Sequence, residues 1–287
     1  MCFTLWAGIN ENAIYTLSNN KLNKIHTPDA CYGIRSISYS NEKIYIACAK
    51  TNEIWCYNFK TMRFKKLCRC IGSYPCKIIT YNDYYLIACC DTDTVEIYKK
   101  DGGHGLISVK LGSLISDIFI KDDACYVICT LSCELFVLDL PELHIKEYKY
   151  LDYYPYSFAR INNGITVIGA DGKWGRLECM DGDLNTKYQS QTTASPIDSA
   201  VFNDNLIVYG LYDNVIFSHL LSNLNVNGCY RCNGCIQIMA SNGNELFIKK
   251  ERYICVCNIK KGRTIKVLPF NNEISCIEYK TNYLTSS

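Results

Sequence analysis

The sequence predicts an all-β protein, a seven-bladed β-propeller of four-stranded antiparallel blades. The first of three supporting observations is a short apolar segment that recurs about every 40 residues, a spacing typical of propellers. The second is a polar turn before each copy, and the third is a further hairpin after it. Together these give four antiparallel strands per repeat, which is the number and arrangement of strands in a propeller blade.

The recurring apolar segment is predicted to be the second strand of each blade. Each copy is a short run of β-branched and aromatic residues bounded by turn residues, as expected for a buried strand. The copies lie at 43–48, 84–89, 125–129, 164–169, 205–210 and 244–248. A first strand precedes each turn, as at 36–39.

The third and fourth strands complete each predicted blade. The third strand is again apolar, as at 53–57 and 94–98, and the fourth is more polar, as at 63–67. Six complete units begin near the following residues: Arg35, Cys76, Asp117, Tyr156, Ile197 and Cys235.

The two ends of the chain are predicted to share the remaining blade. Residues 275–279 form a first strand without a continuation, and residues 2–7 form a second strand without a predecessor. Pairing between them closes the ring and covers edges that would otherwise be exposed. We therefore expect one propeller domain over residues 1–287.

This repeat pattern resembles seven-bladed propellers of the quinoprotein-like or WD type. The resemblance is architectural and spans the whole chain. The Trp-Asp dipeptide of true WD repeats is absent, and their Gly-His motif does not recur from blade to blade. The resemblance therefore implies a fold and no active site.

Charge and hydropathy argue against nucleic acid and against a membrane as partners. The formal net charge is +2 and the chain has no basic block, so nothing indicates nucleic acid. No apolar run approaches the roughly 18 residues of a transmembrane helix. The first residues lack the basic region of a secretory signal, so we expect synthesis in the cytosol without a signal peptide.

The 19 cysteines divide into two groups. Cys48, Cys89 and Cys129 occupy one equivalent blade position, where Gly169 and Gly210 stand in other blades. That exchange predicts a need for a small side chain, and cysteine behaves as a small buried apolar residue. These cysteines are predicted to be core.

The second group gathers in predicted inter-blade turns and at the final strand. We take its members as cross-link candidates: Cys31, Cys68, Cys70, Cys76, Cys229, Cys232, Cys235 and Cys276. Four interpretations stay open, namely covalent cross-linking within or between subunits, metal binding, thiol redox catalysis and inert free thiols. Cys229, Cys232 and Cys235 form a Cys-x-x-Cys-x-x-Cys run, a weak metal alternative that lacks a fourth ligand.

Other catalytic signals are weak. The four histidines are scattered, and the acidic pairs read as turns without the EF-hand spacing. We expect no cofactor, no metal and no enzymatic activity.

The size, composition and cysteine placement of this chain resemble the cysteine-rich basal-layer proteins of the clostridial exosporium. That resemblance implies a structural protein, made in the mother-cell cytoplasm, that assembles with itself into a disulfide-stabilised two-dimensional lattice on the spore surface. Other spore-surface proteins are implied as further partners. An odd cysteine count suits pairing between molecules.

Two alternatives remain. One is an intracellular propeller that serves as a protein-interaction scaffold. The other is a ligand-binding propeller with its site at the central channel.

Overall fold

The computed structural model of the protein describes residues 4–7, 13–18, 21–100, 107–159, 164–202, 204–210, 215–231, 236, 238–241, 245–250, 252–258, 263–269 and 276–279. These ranges contain strands and turns but no helix, and so no helix that could span a bilayer. The strands form four-stranded antiparallel sheets, which confirms the prediction of an all-β propeller fold.

The chain divides into two compact units, Met1–Lys110 with Asn272–Ser287, and Leu111–Asn271. The first unit contains β1 (Thr4–Ala7), β2 (Ala13–Ser18), β3 (Lys21–His26), β4 (Ile34–Ser40), β5 (Lys43–Cys48), β6 (Glu53–Asn58), β7 (Arg63–Arg69), β8 (Pro75–Tyr81), β9 (Tyr84–Cys89), β10 (Thr94–Lys99), β11 (Ile107–Lys110) and β28 (Cys276–Tyr279).

The second unit contains the remaining strands. They are β12 (Ile115–Lys121), β13 (Ala124–Cys129), β14 (Glu134–Asp139), β15 (Ile145–Tyr150), β16 (Tyr154–Ala159), β17 (Ile165–Ala170), β18 (Gly175–Met180), β19 (Thr186–Thr192), β20 (Pro196–Phe202), β21 (Asn205–Gly210), β22 (Val215–Leu220), β23 (Val226–Arg231), β24 (Ile238–Ser241), β25 (Leu246–Lys249), β26 (Tyr253–Asn258) and β27 (Arg263–Pro269).

Six sheets each use four consecutive strands, from β4–β7 to β24–β27. In a further sheet, of order β28-β1-β2-β3, the strand near the C-terminus pairs antiparallel with the first strand, so that Cys276 lies opposite Ala7. The first unit thus holds three sheets and the second holds four. A single closed seven-bladed ring over residues 1–287 stays a prediction.

Burial follows the position of a strand in its sheet. The second strands β13 and β17 are buried at every residue, whereas the fourth strands β15 and β23 are mostly exposed. This pattern confirms the buried second strand and the polar fourth strand that the repeats predict. The apolar cores lie between neighbouring sheets; one, for example, joins Ile54 of β6 to Ile87 of β9.

Small residues are required where second strands end. Cys48, Cys89 and Cys129 are fully buried there, as predicted. At Gly169, the equivalent position of β17, an added Cβ would come within 2.6 Å of a Tyr153 ring carbon and would also clash with the Tyr154 carbonyl oxygen. Tyr153 and Tyr154 therefore exclude bulky side chains from this position.

Candidate functional site

The first unit contains a cationic cavity of about 380 Å³. Eight of its nine lining residues belong to the sheet β4–β7 and its turns, and Lys100 comes from the neighbouring sheet β8–β11. The cations that line it are Lys43, Arg63, Lys65 and Lys100. Asn58 and Thr61 add neutral polar groups, and no carboxylate belongs to its lining. Four positive side chains around one small cavity form an anion-binding environment.

Strand register places these cations. Lys43 is the first residue of β5 and Arg63 the first of β7. Lys65 lies two residues after Arg63 and therefore projects from the same face of β7, because side chains alternate along a strand. Lys100 follows β10 in the neighbouring sheet.

Lys100 is a half-buried lysine of this cavity. Its Nζ donates to the Ser40 Oγ at 3.2 Å and lies 5.7 Å from the centre of the Tyr45 ring. Burial lowers the pKa of Lys100; Asp83 opposes that shift, and the charge of Lys43 adds to it. An anion placed here would offset the repulsion between the ammonium groups of Lys43 and Lys100.

Two uncharged groups form the deeper wall. Burial raises the pKa of Tyr45 to about 12, and the neighbouring Cys56 adds to that shift. Burial also raises the pKa of the Cys56 thiol, while Lys43 and Lys65 act against the shift. Both groups are therefore neutral at pH 7, and the charge of the cavity comes from its four cations.

The predicted cross-link cysteines lie in very different environments. Cys31 and Cys70 are buried, Cys68, Cys76 and Cys276 are half-buried, and Cys229 is exposed. Cys232 and Cys235 lie outside the described residues. The predicted metal alternative, which needs both of them together with Cys229, therefore also lies outside the described residues. The role of all eight as cross-links stays a prediction.

The prediction that Cys68, Cys76 and Cys229 lie in turns is wrong. Cys68 belongs to β7, Cys76 to β8 and Cys229 to β23. The fourth strands β7 and β23 extend further than their sequence indicates, because an exposed outer strand needs no apolar alternation and so carries little signal of its end. Cys76 is instead the second residue of the first strand β8.

The described cysteines are thiols rather than disulfides, and several are close neighbours. The Sγ atoms of Cys31 and Cys48 lie 3.3 Å apart. Cys70 contacts Cys89 in the next sheet, and Cys76 contacts Cys90. These pairs join a predicted cross-link cysteine to another cysteine of the same chain.

Sequence reasoning missed the cationic cavity. Its charged residues are spread over almost sixty positions, and the chain shows no basic block. The available signal is the Arg63-Phe64-Lys65 alternation on a fourth strand. That alternation points to a charged face only when the next sheet is known to supply Lys100.

No protein-family model and no curated protein sequence matches this chain. Solved structures do match it in fold. A protein from Lactobacillus plantarum aligns with a TM-score of 0.79 at 13% identity, covering 98% of this chain and 100% of that one.

Two further matches come from Bacteroides and are described as putative 6-phosphogluconolactonases. The protein from B. uniformis aligns with a TM-score of 0.76 at 14% identity, covering 97% of this chain and 99% of that one. The protein from B. fragilis aligns with a TM-score of 0.78 at 11% identity, covering 98% of each chain.

These matches correct the expectation that the protein has no enzymatic activity. That expectation treats a propeller without recognisable motifs as non-catalytic, whereas two proteins with this fold over nearly their whole length are described as putative 6-phosphogluconolactonases. The inference is wrong because function resides in particular sites, which sequence motifs do not always reveal.

Proposed function

We propose that the protein binds a small phosphorylated metabolite in the cationic cavity of its first unit. The observation that carries this proposal is the convergence of Lys43, Arg63, Lys65 and Lys100 on one cavity that no carboxylate lines. An anion with two charges is the simplest ligand that matches such an excess of positive charge.

The lining supplies the groups that phosphates require. An arginine guanidinium can donate two parallel hydrogen bonds to a phosphate, and lysine ammonium groups add charge from other directions. Asn58 and Thr61 can hydrogen-bond the uncharged part of a ligand. The volume of about 380 Å³ lies in the range of small-molecule pockets.

The comparisons suggest a ligand class to test first. Two proteins of the same fold are described as putative 6-phosphogluconolactonases, a name that denotes a phosphorylated sugar lactone as substrate. We therefore choose 6-phosphogluconate as the probe and gluconate as its unphosphorylated counterpart.

Lys65 and Lys66 provide a matched pair of variants for the binding experiment. They are adjacent on β7, but Lys65 lines the cavity whereas Lys66 forms an ion pair with Glu53. Calorimetry should show binding of 6-phosphogluconate, a weakening of about tenfold in Lys65→Gln from the loss of a charged hydrogen bond, and little change in Lys66→Gln. Both substitutions remove one positive charge, so general electrostatics cannot explain a difference between them.

Two results would contradict the proposal. One is equal affinity for 6-phosphogluconate and gluconate at constant ionic strength. The other is an equal effect of Lys65→Gln and Lys66→Gln. A lactonase assay on the same samples asks whether a bound phosphorylated lactone is also hydrolysed.

Exposed groups on outer strands favour a second candidate, the self-assembling, disulfide-stabilised layer of a spore surface. Cys229 is exposed on the outer strand β23 beside Tyr230, and Tyr148 and Tyr150 are exposed on the outer strand β15. Aromatic residues are enriched at protein interfaces, and an accessible thiol can bridge two copies. Electron microscopy and sizing with and without reductant test this candidate, because a monomer that is indifferent to reductant contradicts it.

A further inference from the structure

A second group of reactive side chains lies in the first unit, around Cys89. The Sγ atoms of Cys70 and Cys89 and a carboxylate oxygen of Glu96 all lie within 4.8 Å of one another, and all three residues are buried. Cys70 precedes β8, Cys89 ends β9 and Glu96 lies in β10. In the described part of the chain, no other set of three such residues is equally close.

Glu96 is a fully buried carboxylate whose described hydrogen-bond donors are neutral. It accepts from the backbone nitrogens of Ile71, at 3.1 Å, and Gly72, and from the Tyr98 hydroxyl at 2.5 Å. Buried charges in proteins are normally paired with an opposite charge or coordinate a metal. A cation beside Glu96 would supply the missing positive charge.

The two sulfur atoms specify the kind of cation. Thiolates prefer borderline or soft metals, whereas magnesium and calcium prefer oxygen ligands. Ligand atoms of a tetrahedral zinc site with sulfur lie about 3.8 Å apart, because each zinc–sulfur bond is about 2.3 Å. The observed separations are compatible with closure onto such an ion by small side-chain rotations.

A further sulfur lies next to this group. The half-buried Cys68 places its Sγ 3.3 Å from the Tyr85 hydroxyl. Cys68 packs against the apolar cluster that contains Cys70 and Cys89. Cys68 is therefore a candidate for a fourth ligand.

We propose that Cys70, Cys89 and Glu96 form a binding site for a divalent cation of the zinc class. Binding replaces the two thiol protons, which pass to solvent, so that two thiolates and one carboxylate surround the ion. The ion would join the segment before β8 to β9 and β10 and so stabilise the sheet from inside. This proposal is independent of the phosphate-binding cavity.

Another buried thiol pair provides the control for the experiment. Cys31 and Cys48 are buried in the same unit with their Sγ atoms 3.3 Å apart, but they belong to no three-ligand group in the described ranges. The purified protein is freed of metal under reducing conditions and titrated with zinc against a chromophoric chelator. The wild type and Cys31→Ser/Cys48→Ser should each bind about one ion, and Cys70→Ser/Cys89→Ser should bind about a tenth as much or less.

Two measurements on the wild type keep the test informative if a variant fails to fold. Cobalt added in place of zinc should produce a thiolate-to-metal charge-transfer absorption. Zinc in excess should raise the melting temperature, because a ligand that binds the folded state stabilises it. The proposal is overturned if the wild type binds no zinc, if the two double variants lose zinc equally, or if mass spectrometry of the reduced, zinc-treated protein shows Cys70 and Cys89 joined in a disulfide.

Discussion

The ammonium group of Lys149 lies 3.0 Å from the carboxylate of Glu178, across two neighbouring sheets of the second unit. Glu178 is only 3% exposed, and Lys149 also donates to the Leu184 carbonyl oxygen at 3.0 Å. Burial by itself would raise the pKa of Glu178, but hydrogen bonds from Thr186 and Lys149 hold that pKa below its ordinary value. The pair therefore ties β15 to β18 through an almost fully buried carboxylate.

Lys149→Met should destabilise the protein by about 3 kcal/mol, because it leaves the buried carboxylate of Glu178 without its partner. Chemical denaturation measures the change. Lys146→Met is the control, since the ion pair of Lys146 with Asp139 is long, at 3.9 Å, and exposed on both sides; such pairs contribute little. Equal losses in the two variants would contradict the role assigned to Lys149.

The same pair predicts a dependence of stability on acid. The folded-state pKa of Glu178 is lowered, so its contribution is fully present above the unfolded-state pKa of about 4.3. The contribution is lost as pH falls from that value through the folded-state pKa. Wild type and Lys149→Met should therefore converge in unfolding free energy as pH falls below about 4, and curves that stay parallel would contradict the argument.

His219 predicts a second dependence at higher pH. The ring is fully buried, with Nδ1 2.9 Å from the Leu224 carbonyl oxygen and Nε2 3.1 Å from the Thr192 Oγ1. Burial lowers its pKa; the hydrogen bond to Leu224 opposes that shift. Below the unfolded-state pKa of about 6.5, the unfolded chain binds a proton that the folded chain resists.

Wild-type stability should consequently fall by about 1 kcal/mol between pH 7.5 and 5.5, and this loss should be absent from His219→Gln. Denaturation at a series of pH values measures both. His144→Gln is the control, because His144 is exposed and should leave the wild-type loss intact. If the loss of stability persists in His219→Gln, another titrating group causes it.

Sequence alone predicts what repeats along the chain. The β-branched and aromatic runs at 43–48 and 125–129 identify buried second strands, and the exchange of Cys129 for Gly169 identifies a position that needs a small residue. These features depend on strand period and turn chemistry, which are local.

Sequence alone does not predict contacts between neighbouring sheets. Lys149 and Glu178 are far apart in the chain, and so are Lys65 and Lys100 of the cavity. Their meeting depends on how one sheet packs on the next, and no local pattern encodes that geometry. The same limit applies to Cys70 and Cys89, which sequence analysis assigns to different groups.

Gly169→Ala should destabilise the protein by about 2 kcal/mol, the cost of overpacking a filled core. The added methyl group would clash with the Tyr154 carbonyl oxygen and the Tyr153 ring. Gly182→Ala is the matched control, because an added Cβ there meets nothing within 4 Å. Thermal denaturation compares the two, and an equal response would show that the backbone beside Gly169 yields easily.

Two cysteines of the second unit differ sharply in accessibility. Cys229 is exposed on β23, whereas Cys179 in the same unit is 4% exposed. Alkylation requires an accessible thiolate, so a short pulse of iodoacetamide should label Cys229 at least about tenfold faster than Cys179 in the folded protein. Mass spectrometry of the peptides measures both rates, and denaturation should remove the difference.

If Cys229 also bridges two copies, Cys229→Ser should lower the amount of oligomer that dissociates on addition of reductant. Cys179→Ser should leave that amount unchanged. Sizing under oxidising conditions distinguishes the two variants. A thiol at the surface of a polar outer strand contributes almost nothing to the core, so its replacement should change unfolding free energy by less than about 0.5 kcal/mol. Loss of oligomers without loss of stability would therefore identify Cys229 as a linking group, and oligomers that persist in Cys229→Ser would assign the bridge to other contacts.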